Sequence, residues 1–189
     1  PEIDGEFAKA LGIEDGDLVK MRDEIEGNLT REVKRRLQAK VTAQVMDALL
    51  QANAVEVPGA LVQREIERLM QLARQDMEQR GMKVKDLPMQ PEWFSDQARR
   101  RVSLGLILAE IVKQQGLQAK PEQVKALVQE AALSYDQPDE VVRWHYAQPE
   151  RLNDFEGAAM EANVVQWVLA QAKVVDKPIA FAELMGQQS

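Results

Sequence analysis

Between Asp17 and Asn53 the chain contains no proline, and Met21, Ile25, Leu29, Val33, Leu37, Val41, Val45 and Leu49 follow one another at steady intervals of four residues. An α-helix turns once in about 3.6 residues, so each step of four overshoots by roughly 40°. A coiled-coil seam would repeat about every 3.5 residues and stay on one face. This stripe must wind around its helix instead. The spacing therefore predicts one helix, from Leu18 to about Asn53, whose two ends meet different neighbours. At about 1.5 Å per residue it would be on the order of 50 Å long, too long for a small compact domain, and it reads as the spine of an elongated helical body.

The rest of the chain supplies what such a spine carries. Pro1–Gly16 reads as a lead-in, with Ile3, Phe7, Leu11 and Ile13 placing a short helical turn on the body. Glu14-Asp15-Gly16-Asp17 lacks the alternating ligands and distal Glu of a calcium loop, so it reads as a turn with Asp17 as helix cap. Val55-Glu56-Val57 alternates like a short strand, and Pro58 suits the start of a second helix. That helix would run to about Arg80 on Val62, Ile66, Leu69, Met70, Ala73 and Met77, with Gly81 closing it. Pro91 opens a third, ending near Gln115 at Gly116 and carrying Trp93, Phe94, Ala98, Val102, Leu106, Leu108 and Ile111. Two long helices joined by a short connector form an antiparallel hairpin.

That connector, Met82 to Met89, is unusually apolar for a loop. Its side chains either tuck between the helix ends or form an apolar tip offered to a partner. Pro121 starts a further helix, Asp136-Gln137-Pro138 interrupts it, and Gln148-Pro149 interrupts again before a last long helix from about Glu150 to Lys173. Val174-Val175 reads as a short extended piece, and Phe181–Met185 as a final turn tied down by Phe181 and Leu184. The expected fold is all-α: a body on one long helix with two protruding helical arms and at most a short strand pair. Residues 1–53 would form lead-in and spine, 54–116 the first arm, 117–173 the second, and 174–189 a tail on the body.

The residue inventory argues against most chemistry. There are no cysteines and a single histidine, His145, so neither a thiolate nor a multi-histidine metal site is available, and no triad is visible. No glycine-rich phosphate loop occurs, because the glycines are scattered along the chain. Neither a catalytic residue, a metal nor a cofactor is expected. The basic residues of the spine (Arg31, Lys34, Arg35, Arg36, Lys40) are interleaved with Glu24, Glu26 and Glu32 and lack aromatic neighbours, and the net charge is −7, so a nucleic-acid partner is disfavoured. No apolar run approaches the roughly 20 residues of a membrane span, and no signal peptide opens the chain. It begins with Pro1 rather than Met and reads as a segment of something longer. What remains is surface character: eight methionines and three tryptophans lie on helices that look thinly covered, and adaptable methionine surfaces favour varied partners.

An ordered set of motifs then resembles one family. Glu6-Phe7 with Leu11-Gly12-Ile13-Glu14-Asp15-Gly16, Asn53-Ala54-Val55-Glu56-Val57-Pro58 before a long helix, Gln97-Ala98-Arg99-Arg100-Arg101-Val102, Asp136-Gln137-Pro138-Asp139-Glu140-Val141-Val142 and Phe181-Ala182-Glu183-Leu184-Met185 together resemble the C-terminal domain of bacterial trigger factor, a ribosome-associated chaperone. The resemblance covers essentially the whole chain. It implies an all-helical body with two arms whose inner faces hold unfolded or nascent polypeptides in the cytoplasm, without ATP. It places the family's ribosome-binding and prolyl-isomerase domains, and an early helical segment that completes the body, outside these residues. The chain alone is thus expected neither to isomerise prolines nor to dock on the ribosome.

Family substrate contacts carry over at the second-arm elbow onto Tyr135, Val141 and Trp144, with Tyr146 and Phe155 beside them. Ala131 stands where the family commonly has a larger apolar residue. On the first arm the candidates Met77, Met82, Leu87, Met89, Trp93 and Phe94 rest on the surface reading. The rival reading is a helical scaffold that binds one folded partner or, weakly, itself. No membrane partner is expected.

Overall fold

The computed structural model describes residues 3–82 and 89–186. Eight α-helices are found among them: α1 Gly5–Ala10, α2 Leu18–Ala52, α3 Gly59–Gln79, α4 Glu92–Gln115, α5 Pro121–Ala132, α6 Pro138–Tyr146, α7 Asn153–Gln171 and α8 Phe181–Leu184, with a 3-10 turn at Pro149–Leu152 ahead of α7. No strand occurs among the described residues, so Val55-Glu56-Val57 and Val174-Val175 join no ladder. Pro58 and Pro91 each stand one residue before their helices.

Local chemistry explains the boundaries. The Asp17 carboxylate accepts from the Val19 and Lys20 amides at 2.7 and 3.3 Å, satisfying donors that the first turn of α2 leaves free. Gly81, at φ 76°, ends α3. There the Met82 amide donates to the Met77 carbonyl and the Gly81 amide to that of Glu78, the paired bonds of a left-handed cap. Gly116 does the same work for α4 at φ 65°.

The chain divides into two compact units, Pro1–Gln44 with Val174–Ser189, and Val45–Lys173, and α2 contributes to both. In the first unit Ala8, Ile13 and Met21 form a small core, with Phe7 and Leu18 against it. Gly16 closes it tightly: a Cβ there would lie 2.8 Å from the Gly5 carbonyl oxygen. α8 is held by Arg36, whose Nη1 donates to the Leu184 carbonyl at 3.2 Å. Three expectations fail in this unit. Ile3 and Leu11 are exposed rather than packed, because α1 is too short to turn more than one face inward. Phe181 is half exposed, so the backbone of α8 rather than its aromatic ring is what is anchored. Ile25, Leu29 and Leu37 of the stripe are also exposed, since no described neighbour covers that part of α2.

In the second unit the far end of the same stripe is covered: Val45, Met46 and Leu49 are buried. The two ends of α2 thus serve different cores, as its drifting stripe predicts. α3 and α4 form the expected hairpin, with Val62, Ile66 and Leu69 packed on Ala98 and flanked by Val57, Met70 and Phe94. Arg100 of α4 also reaches Asp47 of α2 at 2.6 Å. α7 packs against both α4 and α5; Val124, Val128 and Ala132 of α5 and Ala159, Val164 and Val165 of α7 are all buried.

One polar cluster fixes the start of α5. The Asn163 side-chain amide, midway along α7, donates to the Leu117 and Gln118 carbonyls at 3.1 and 3.3 Å and pairs reciprocally with the Gln123 amide at 2.6 and 3.2 Å. Gln123 in turn accepts from the Lys120 amide at 3.0 Å. The connector's backbone groups are thereby satisfied by α7 rather than by water. Replacing Asn163 with Ala leaves several part-buried groups unpaired. It is expected to lower stability by about 1–3 kcal/mol, read as a lower urea midpoint at unchanged slope. A midpoint equal to that of the parent would show that the cluster holds nothing.

Candidate functional site

Tyr135, Val141, Trp144, Tyr146 and Phe155 all fall on the segment formed by the end of α5, α6, the 3-10 turn and the start of α7. Two proline-marked breaks build it. Pro138 opens α6, with acidic Asp139 and Glu140 in its first turn, and Pro149 opens the 3-10 turn. α6 packs on α5 and on the 3-10 turn, yet none of its residues is fully buried. Tyr135 is 61% exposed, Trp144 55% and Tyr146 46%, whereas Val141 and Phe155 are half-buried. Leu133, at 76%, is more exposed than any of them and lies two residues before Tyr135. Sequence reasoning missed it because it lies just past the apolar side of α5. Its clue is that it follows buried Ala132 directly, and neighbours on a helix point about 100° apart.

Three aromatic rings interlock here. The Trp144 and His145 centroids lie 4.8 Å apart with planes at 85°, and His145 and Phe155 lie 5.0 Å apart at 87°. These are edge-to-face pairs. The Nδ1 atom of His145 is buried without a hydrogen-bond partner, which places this histidine in packing, as its sequence context suggests.

The first-hairpin candidates are less unified. Trp93 is 64% exposed at the start of α4, and Met82, at 44%, follows the glycine cap of α3. Met77 and Met89 are half-buried, and Phe94 packs against the hairpin core. Leu87 lies outside the described residues. Among the described residues no group of three or more His, Cys, Asp or Glu is placed to hold a metal ion, and no helix is long and apolar enough to cross a membrane.

Residues 17–170 match the family described as bacterial trigger factor protein C-terminus. The chain belongs to the trigger factor family. It is 65% identical over its whole length to the trigger factor of Dechloromonas aromatica (strain RCB), 57% identical over 98% of its length to that of Azoarcus sp. (strain BH72), and 55% identical over its whole length to that of Herminiimonas arsenicoxydans. It spans 43%, 43% and 42% of those relatives' lengths respectively. The matched family region is the C-terminal part of trigger factor, which is not its isomerase part.

Within this family member the hairpin α3–α4 is reinforced by one carboxylate. Glu65, only 16% exposed at its side chain, is gripped by Arg68 through two bonds of 2.7 and 2.8 Å and by Arg101 of α4 at 2.9 Å. The Arg68 hydrogen bonds hold its carboxyl below the ordinary glutamate value, against the opposing effect of burial, with the Arg68 and Arg101 charges adding to the same side. A folded-state value below the unfolded value of about 4.3 means that Glu65 contributes stability above that pH. The contribution is lost as pH falls through the folded value. Glu65→Gln should therefore lower stability at pH 7 and flatten its decline below about pH 4. Urea titrations at pH 7 and pH 3 check this, and a variant as acid-sensitive as the parent would contradict it.

Proposed function

We propose that this chain is an ATP-independent holding surface for unfolded or nascent polypeptides in the cytoplasm. The hairpin α3–α4 and the segment α5–α7 act as its two arms. The observation that carries this reading is the run of large apolar side chains left open on one short segment: Leu133, Tyr135, Trp144 and Tyr146. Large apolar side chains left exposed in such number over fourteen residues suit an interaction site. Family membership supports the chaperone class, and ribosome contact is assigned to parts of trigger factor beyond these residues.

The energetics suit holding and release without a cofactor. A client covering about 100 Å² on each of the four side chains would gain on the order of 10 kcal/mol gross. Association costs about 4–15 kcal/mol, so one patch alone binds weakly. Several patches on one client act through effective concentration, and the client escapes when it buries its own apolar residues.

The rival scaffold would present the same side chains to one folded partner, or to a second copy of itself. The two readings separate by titrating the chain against several unrelated denatured proteins, which a scaffold should ignore. Changing Tyr135, Val141 and Trp144 together to Ala is expected to weaken binding of an unfolded protein by about tenfold or more with the helical circular dichroism intact. Unchanged affinity at intact helicity would remove these residues from the site.

A further inference from the structure

An exposed tryptophan ordinarily samples several rotamers, and a ligand that fixes one of them loses affinity in doing so. Trp144 is more than half exposed, yet it is not free. The guanidinium carbon of Arg151 lies 3.8 Å from the centre of its ring, well within the reach of a cation–π contact. The same guanidinium donates through Nη1 to the Trp144 carbonyl oxygen at 2.7 Å. Trp144 also makes an edge-to-face pair with His145, which makes another with Phe155. Arg151 takes part in none of the ion pairs found among the described residues, so no neighbouring carboxylate draws it off the ring.

This contact exists because of the break between α6 and the 3-10 turn. Residues seven apart on a continuous helix are separated by about 10.5 Å along the axis. Here the chain leaves α6 at Ala147, and Pro149 begins a tighter turn in which the Arg151 amide donates to the Gln148 carbonyl at 3.0 Å. That turn carries Arg151 back over Trp144. The guanidinium covers one face of the indole and leaves the remaining surface as what an incoming side chain meets.

We propose that Arg151 is a positioning residue for Trp144, fixing the indole in its binding orientation before a client arrives. The inference rests on the client-holding reading of this segment. Its test measures the affinity of the full chain for a fluorescein-labelled unfolded probe, reduced and carboxymethylated α-lactalbumin, beside the 19F spectrum of the 5-fluorotryptophan-labelled chain, with the Trp144 resonance assigned by Trp144→Phe. Arg151→Met and Arg151→Gln should each weaken binding by about threefold to tenfold. Both should move the Trp144 resonance toward that of a free indole and leave the circular dichroism unchanged, and Arg151→Lys should recover most of the affinity. In a Trp144→Ala background Arg151→Met should cost nothing further. If it costs as much there as in the parent, Arg151 acts on the client directly and the inference fails. It fails equally if Trp144→Ala weakens binding while Arg151→Met leaves affinity and resonance untouched. If Trp144→Ala itself leaves affinity unchanged, the client-holding role of this segment falls, and this inference with it.

Discussion

The second unit is held together by small side chains. Among the described residues its most deeply buried are Ala98, Val128, Ala132, Ala159 and Val164, and the largest fully buried side chains are valines. Alanine and valine let helices approach closely at these points, with Met46, Leu49, Ile66, Leu69 and Ile107 buried around them. None of the nine aromatic residues is buried. Aliphatic side chains and alanine fill the core, and the tyrosines and tryptophans lie outside it.

Electrostatics adds little to this frame except at one place. The pairs Lys9–Glu6, Lys20–Asp15 and Arg80–Asp76 are mostly solvent-exposed, and such pairs contribute little each. Glu65 differs because two guanidiniums enclose it and little of it meets water. Through Arg101 it joins α3 to α4 beside a hairpin core whose buried members among the described residues are Val62, Ile66, Leu69 and Ala98. In a layer that thin, a charge-assisted bond across the two helices is a larger share of the total than it would be in a thick domain.

What could be read from the sequence divides along physical lines. Helix ends were legible because they are local chemistry: Asp17, Gly81, Gly116, Pro121 and Pro138 each act within a few residues of themselves, and the helices begin or stop beside them. Covering was not legible. Met21, Ile25, Leu29 and Val45 share one spacing and one character, yet Met21 and Val45 are buried while Ile25 and Leu29 are open. The difference lies in whether a distant segment returns to that place, and periodicity along one helix holds no record of it. The stacking of Arg151 on Trp144 was invisible for the same reason. It requires the chain to turn back at Pro149, and the sequence shows the break without its direction.

The breaks and the small-residue core together explain how an apolar surface is kept both open and ordered. A nine-residue helix is too short to be stable alone, and α6 buries none of its residues completely. Burial therefore cannot be what fixes its rings. Its place is taken by α5 and the 3-10 turn on either side, by proline at its first turn, and by the row of contacts from Arg151 through Trp144 and His145 to Phe155. Each of these constrains the helix or a ring without burying it. Adding bulk to the core beneath α6 would hold the helix more firmly, but only by drawing Trp144 or Tyr146 inward, away from the surface on which the proposed function depends.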